Sequence, residues 1–241
     1  MTIRRLDLTG LPPRLVQGGN LAFFLGHQPP LSTGCEGLDS LLGGGWPRWV
    51  VSYIQGDEAS GKSSLCEETA LRFLQADGYL ALLACLEGDH PLPGFLDRLS
   101  PVQRDRLMLL HPHSLEGTFS AARDLIQQTW QEGQEYLLIV DDLPSLCQSD
   151  DPSSSVQWSI NKVAPYLRSS LTVLLVNQVR EAGFNSLVGA TSYWRSFRIS
   201  EVAVHLAAGE GLQSTGYLLK PQGLLGKTFP VHIRPGWGII S

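Results

Sequence analysis

The sequence predicts an α/β fold: a mostly parallel twisted sheet flanked by helices, with an antiparallel extension at the C-terminal end. Three observations carry that expectation. Uninterrupted apolar runs of strand length (79–86, 136–140, 171–176) alternate with helix-period segments, as in parallel strands buried on both faces. A β-rich run, V-V-S-Y-I-Q, enters a glycine-bearing loop, and an apolar-periodic helix leaves it. Beyond residue 200 the runs shorten into alternating strands broken by Gly and Pro, the mark of hairpins.

The bulk numbers narrow the class. A chain of 241 residues can bury one substantial α/β core, and 43% hydrophobic with 17% charged residues describes an ordinary globular chain. A net charge of −5 gives no general attraction to nucleic acid or anionic lipid, so any nucleic-acid site has to be a local patch. Cys35, Cys66, Cys85 and Cys147 form no C-x-x-C pair and read as small buried hydrophobes in a reducing compartment. The start, M-T-I-R-R-L-D-L-T-G, lacks the apolar stretch of a secretion signal, and no apolar run reaches membrane length. The expectation is a soluble, cytoplasmic protein without a membrane partner.

Taken in order, residues 1–30 are interrupted by Pro12, Pro13, Gly18, Gly19, Pro29 and Pro30 and read as an N-terminal arm. Its apolar island 21–25 has to be buried, either on the chain's own core or on a neighbouring subunit. L-S-T-G at 31–34 leads into a short helix carrying Leu38 and Leu41, for which Ser32 or Thr33 is a candidate cap. Gly43, Gly44 and Gly45 end it and turn the chain toward the central strand.

Gly56-Asp57-Glu58-Ala59-Ser60-Gly61-Lys62-Ser63 then fits G-x-x-x-x-G-K-[ST], a phosphate loop in the setting it requires. Glycines let successive amides point inward at a polyphosphate, the helix that follows adds its positive end, and Ser64 completes the stretch expected to line the phosphates. The pattern predicts a nucleoside triphosphate site. Lys62 would reach the β- and γ-phosphates, in a binding and a catalytic role, and the Ser63 hydroxyl would ligate Mg²⁺.

A helix is expected over 65–76, stopped at Gly78, then the buried strand 79–86. Catalytic groups of open parallel sheets lie past the carboxyl ends of strands, which makes Glu87 the candidate water-activating base, with Asp89 as alternative. A short strand over 106–110 ends at His111 and His113; with no acid or cysteine beside them they do not read as a metal site. A helix over 116–132 precedes the run 136–142, a buried strand ending in acid, where Asp141 would hold Mg²⁺ opposite Ser63. Residues 146–155 form a polar, acidic loop, followed by a helix over 156–169 and the strand 171–176. The second loop, 181–193, leads to Tyr193, Trp194, Arg195 and Arg198, which suit either stacking on single-stranded bases or a core with a solvated arginine face. Strands over 202–206, 216–220 and 229–233 follow, the last two joined by a hairpin loop over 221–227.

L-S-T-G-x-x-x-L-D-x-x-L-G-G-G-x-P-[RK] ahead of a phosphate loop, N-Q-V-R at 177–180 and G-W-G-I at 236–239 together resemble the RecA/RadA/KaiC superfamily of ATPases. The resemblance spans about 31–239, with motifs in the family order, and implies a RecA-like P-loop core over 31–241 with ATP and Mg²⁺ as cofactors. It implies that Glu87 activates water and that Gln178 senses the γ-phosphate and relays it to the loop that follows. Phe95 is a candidate to stack on the adenine. Lys220 and Lys227 match the basic finger that reaches a neighbour's nucleotide, although Pro221 and Gln222 break its paired-basic form. The short acidic first loop departs from a DNA-gripping loop and argues against filament function.

Nothing in the chain matches the extra terminal domains of RecA or RadA, so the expectation is a core-only member. It resembles RadB-type mediators, phage annealing proteins and, in G-G-G-W-P, the ImuA-type accessory proteins, which often lack the intact phosphate loop kept here. The function implied is an ATP-binding and ATP-hydrolysing accessory protein of DNA recombination or repair. Its implied partners are single-stranded DNA and either a second copy or a RecA-type protein. The rival reading is a KaiC-like regulatory ATPase that binds proteins and not DNA.

Overall fold

In a computed structural model of the chain, residues 28–75, 79–85, 93–110, 113–146, 152–178, 199–234 and 238–240 are described. They build one nine-stranded sheet of order β3-β2-β4-β5-β1-β6-β7-β8-β9. The strands are β1 (Val51–Gly56), β2 (Tyr79–Cys85), β3 (Leu107–Leu110), β4 (Glu135–Asp141), β5 (Leu171–Gln178), β6 (Val202–Ala208), β7 (Gln213–Lys220), β8 (Thr228–Arg234) and β9 (Gly238–Ile240). From β3 to β6 every neighbour pair is parallel; from β6 to β9 every pair is antiparallel. The expected mostly parallel sheet with an antiparallel extension is what the chain forms.

The helices are α1 (Glu36–Leu42), α2 (Lys62–Leu74), α3 (Pro93–Asp97), α4 (Pro101–Asp105), α5 (Leu115–Thr129), α6 (Leu143–Leu146) and α7 (Pro152–Val163). They cover two faces because side chains alternate along each strand. Ile54, Leu137, Ile139, Leu174, Val176, Val204 and Leu206 pack with Leu38 of α1 and with Leu65, Phe73 and Leu74 of α2. Tyr53, Tyr136, Leu138, Val173, Leu175 and Ala203 pack on the opposite face with Phe119 and Ile126 of α5 and Val156 and Ile160 of α7. All six residues of β1 are buried, and Tyr53 and Ile54 are 0% exposed, each side chain worth about 1.5–3 kcal/mol of burial.

Several boundaries differ from expectation, each for a local reason. The α1 N-cap is Cys35, without a side-chain cap. Ser32 and Thr33 instead serve the loop: Ser32 Oγ donates to Asp39 Oδ2 (2.7 Å) and the Thr33 N–H donates to Asp39 Oδ1 (2.8 Å). The L-S-T-G and L-D motifs are therefore two halves of one hydrogen-bonded knot. Helix α7 starts at Pro152, inside the stretch read as acidic loop, since proline's fixed φ suits a first helical turn. It stops at Val163 because Pro165 disfavours helical geometry at Ala164. The short helices α3 and α4 were not expected; α4 opens with a full capping box between Ser100 and Gln103. The hairpin loop 221–227 is found, folded around a 3₁₀ turn at Gln222–Leu224, while β7 begins at Gln213, three residues earlier than expected.

At the lower, N-terminal ends of the strands the polar groups are tied. Arg48 Nη1 pairs with Glu135 Oε2 at 2.5 Å and Arg48 Nε donates to the Pro29 carbonyl (2.7 Å). The Trp46 indole N–H donates to Thr69 Oγ1 (3.1 Å), and the Trp49 N–H to Thr172 Oγ1 (2.9 Å). No described helix is long and apolar enough to cross a membrane.

Candidate functional site

The phosphate loop leaves the upper end of β1, the central strand. Gly56 has to be glycine: a Cβ there would lie 2.1 Å from the Leu206 carbonyl oxygen of β6, a backbone atom that cannot move aside. β6 then acts as the loop's rail. The Asp57 N–H donates to Leu206 O and the Asp57 carboxylate accepts the Ala208 N–H, both at 3.1 Å. Two left-handed residues, Ala59 (φ 56) and Gly61 (φ 90), fold the loop back onto itself. At Gly61 a Cβ would meet Ile233 Cδ1 of β8 at 2.8 Å, so the antiparallel extension walls the loop on that side.

Helix α2 starts directly at Lys62, three residues before the apolar period suggested, so Lys62, Ser63 and Ser64 form its first turn. The free amides of that turn therefore face the loop. Lys62 is 8% exposed and its ammonium donates to the Asp57 carbonyl. Burial pushes its pKa down, opposed by the charges of Asp141, Asp57 and Asp142. Ser60 is fully buried, and its hydroxyl has no hydrogen-bond partner. A buried ammonium, a buried hydroxyl without a partner and a helix N-terminus converge on one loop. That donor set suits a polyphosphate, which would return to Lys62 the stabilisation that burial removes.

Strand alternation sorts the remaining candidates. Asp141 follows Val140 onto the face that holds α2, and its charge acts on Lys62. Gln178 ends β5 in register with Gly56 and, two residues after Val176, points to the same face. Thus Lys62, Ser63, Asp141 and Gln178 share one end of one face, and Glu58 and Ala59 are exposed at the loop tip. Glu87 and Asp89 lie outside the described residues; β2, which precedes them, ends at Cys85 in register with Asp141. Also outside are 1–27, the loop 181–193, Arg195 and Arg198, and Gly236 and Trp237.

Two expected contacts take another form. Phe95 is 3% exposed and belongs to the apolar core on the α2 face, so its ring offers no open surface to a base. Its neighbours Leu96 and Leu99 pack there too: α3 is amphipathic and turns Phe95 inward. Lys220 donates to the Ser200 carbonyl (2.9 Å) at the base of the extension, while Lys227 is exposed.

The sequence reading missed a second set. Asn177, Gln55 and His205 stand in register on β5, β1 and β6, on the face away from α2. All three are buried (3%, 1% and 4% exposed), and Asn177 Oδ1, Gln55 Nε2 and His205 Nδ1 have no partner. Asn177 Nδ2 donates to the Tyr53 hydroxyl at 2.8 Å. The signal was present as single polar residues inside apolar strands, V-V-S-Y-I-Q and V-A-V-H-L.

No family model matches the chain. It is 27% identical over 164 residues to Protein RecA of Synechocystis, covering 63% of this chain and 44% of that protein. It is 27% identical over 165 residues to the DNA repair and recombination protein RadB of Methanococcoides burtonii, covering 62% and 70%. The chain thus spans less than half the length of that RecA. A crystal structure of the RadB recombinase superposes with a TM-score of 0.68 at 20% identity, over 87% of this chain and 98% of that one, which shows a common fold.

Proposed function

We propose that this chain, similar in sequence to RecA and RadB, is a RecA-like protein that binds and hydrolyses ATP as an accessory or mediator protein of DNA recombination or repair. The observation that carries the reading is the buried Lys62 ammonium at the head of α2, inside a loop whose Ser60 hydroxyl is buried without a partner. The residues divide the work. The amides of 56–64 and Lys62 bind and orient the phosphates. Ser63 and Asp141 would hold Mg²⁺, which when bound neutralises charge on the phosphate oxygens. Glu87 orients water by taking its proton, and Gln178, an uncharged amide, pairs with the γ-phosphate and releases it after hydrolysis. Partners are single-stranded DNA and a second RecA-like subunit, which is this chain or a RecA-type protein. Work of this kind belongs in the cytoplasm.

The test is the rate of ATP hydrolysis with and without Mg²⁺ and with and without single-stranded DNA across a salt series. Mg²⁺-dependent turnover that DNA accelerates, with acceleration fading as salt rises, supports the reading. A regulatory ATPase with protein partners is the second reading, favoured by the net charge of −5. It gains if turnover ignores DNA and no salt-sensitive DNA binding is found.

A further inference from the structure

Behind the phosphate loop, on the sheet face opposite α2, Asn177, Gln55 and His205 occupy three adjacent strands at one level. Each is more than nine-tenths buried and each keeps one polar atom without a partner. Orphaned buried polar atoms are costly, and three in one row is a concentration that calls for a second arrangement in which they pair. The chemistry supplies one. When neutral His205 carries its hydrogen on Nε2, Nδ1 cannot donate. Taking up a proton at Nδ1 makes the imidazolium, which donates from Nδ1 to the Gln55 amide oxygen, while Gln55 Nε2 donates to Asn177 Oδ1 and Asn177 Nδ2 already donates to Tyr53. The row then closes from β6 to β5 with each donor matched to an acceptor.

We propose that this row is a two-state link between the nucleotide loop and the sensor strand, in which nucleotide loading draws a proton onto His205 and closes the hydrogen-bond row to Asn177. It rests on the nucleotide-binding reading above and adds its regulation. His205 sits on the strand whose next residues, Leu206 and Ala208, hold Asp57, so it is fixed to the loop by backbone. The groups whose charge reaches it are Asp57 and Lys62 of the loop; β7 brings Tyr217, whose ring centroid is 6.1 Å away, and β1 brings the neutral Gln55. Burial holds the imidazole below its ordinary pKa; Asp57 opposes it, and Lys62 adds a smaller push in the same direction as burial. A triphosphate beside Lys62 offsets that cation and adds negative charge, so loading favours the imidazolium. At the other end, Asn177 and Gln178 are consecutive and face opposite sides of the sheet, so closing the row on Asn177 acts on the side chain that faces the phosphates.

Linkage makes the coupling reciprocal. If loading raises the proton affinity of His205 about tenfold, nucleotide binds about tenfold tighter below its titration range than above it. The test is calorimetric titration of the full chain with ADP and with a non-hydrolysable ATP analogue near pH 6, in two buffers of different ionisation enthalpy. Expected is net proton uptake that falls in His205→Gln and in Gln55→Leu; protons belonging to the nucleotide or Lys62 cancel in the comparison. A second measurement needs no variant. The imidazole resonances of wild-type His205, followed against pH, should titrate at higher pH once ADP is present. Equal proton counts in wild type and His205→Gln, or a His205 titration unmoved by nucleotide, overturn the row while leaving nucleotide binding intact. Absence of any nucleotide binding by wild type overturns the premise and the proposal with it.

Discussion

At the lower ends of the strands Arg48 is paired with Glu135, Trp46 with Thr69, and the Trp49 amide with Thr172. At the upper ends of the same strands Gln55, Asn177, His205 and the loop's Ser60 are just as buried and keep polar atoms unpaired. The Trp49 indole N–H and the Ser52 hydroxyl near the start of β1 are exceptions below. One end of the sheet spends its polar groups on holding the chain together; the other holds them ready for something else. Removing a group should therefore cost stability below and ligand affinity above.

The largest effect is expected below. Arg48→Met leaves Glu135, only 8% exposed in its side chain, without its cation. Urea unfolding should show a loss of about 3–5 kcal/mol, with nucleotide affinity unchanged in whatever fraction remains folded. Lys62→Ala should do the reverse. Fluorescent-nucleotide titration should show affinity falling about a hundredfold, in the range expected when one partner of a buried charged contact is removed. The melting temperature should not drop, because a buried ammonium has been removed from an unfavourable site. An intact affinity in Lys62→Ala would break the comparison at its centre.

A smaller effect tests the sensor strand. Gln178→Ala should weaken ATP binding by no more than about threefold, the loss of one neutral hydrogen bond, and lower turnover about tenfold because the γ-phosphate is no longer held in place. The smallest concerns pH. His205 is held below its ordinary value by burial, so as pH falls past about 6.5 the unfolded chain binds a proton that the folded chain refuses. Stability is full above that value and declines from there down to the folded-state titration. His205→Gln should flatten that decline, read from urea midpoints between pH 7 and pH 5.

The parallel core and the loop were legible because both rest on local patterns: continuous apolar runs and a glycine spacing. The loop's neighbours in space were not. Nothing in the sequence near Gly56 says that Leu206, 150 residues later, will lie against it, and so the β6 rail, Ile233 and the His205 row went unread. Phe95 shows the same limit from the other side. An aromatic after the second strand suits a base, but whether it faces solvent depends on α3, whose five residues carry too little period to reveal their inward face. Pro165 was a missed local signal, since the helix before it could have been ended from sequence alone.

The nucleotide loop is continuous with β1, which has parallel partners on both flanks and no exposed residue along its length. Amides in such a strand exchange with solvent only through whole-domain opening. Fraying of the anchor therefore does not loosen the loop, and a nucleotide held there would leave only by dissociating from the intact fold. Each tenfold excess of ligand over its dissociation constant should lift global unfolding by a further ~1.4 kcal/mol, so that a simple thermal shift reads occupancy of the loop.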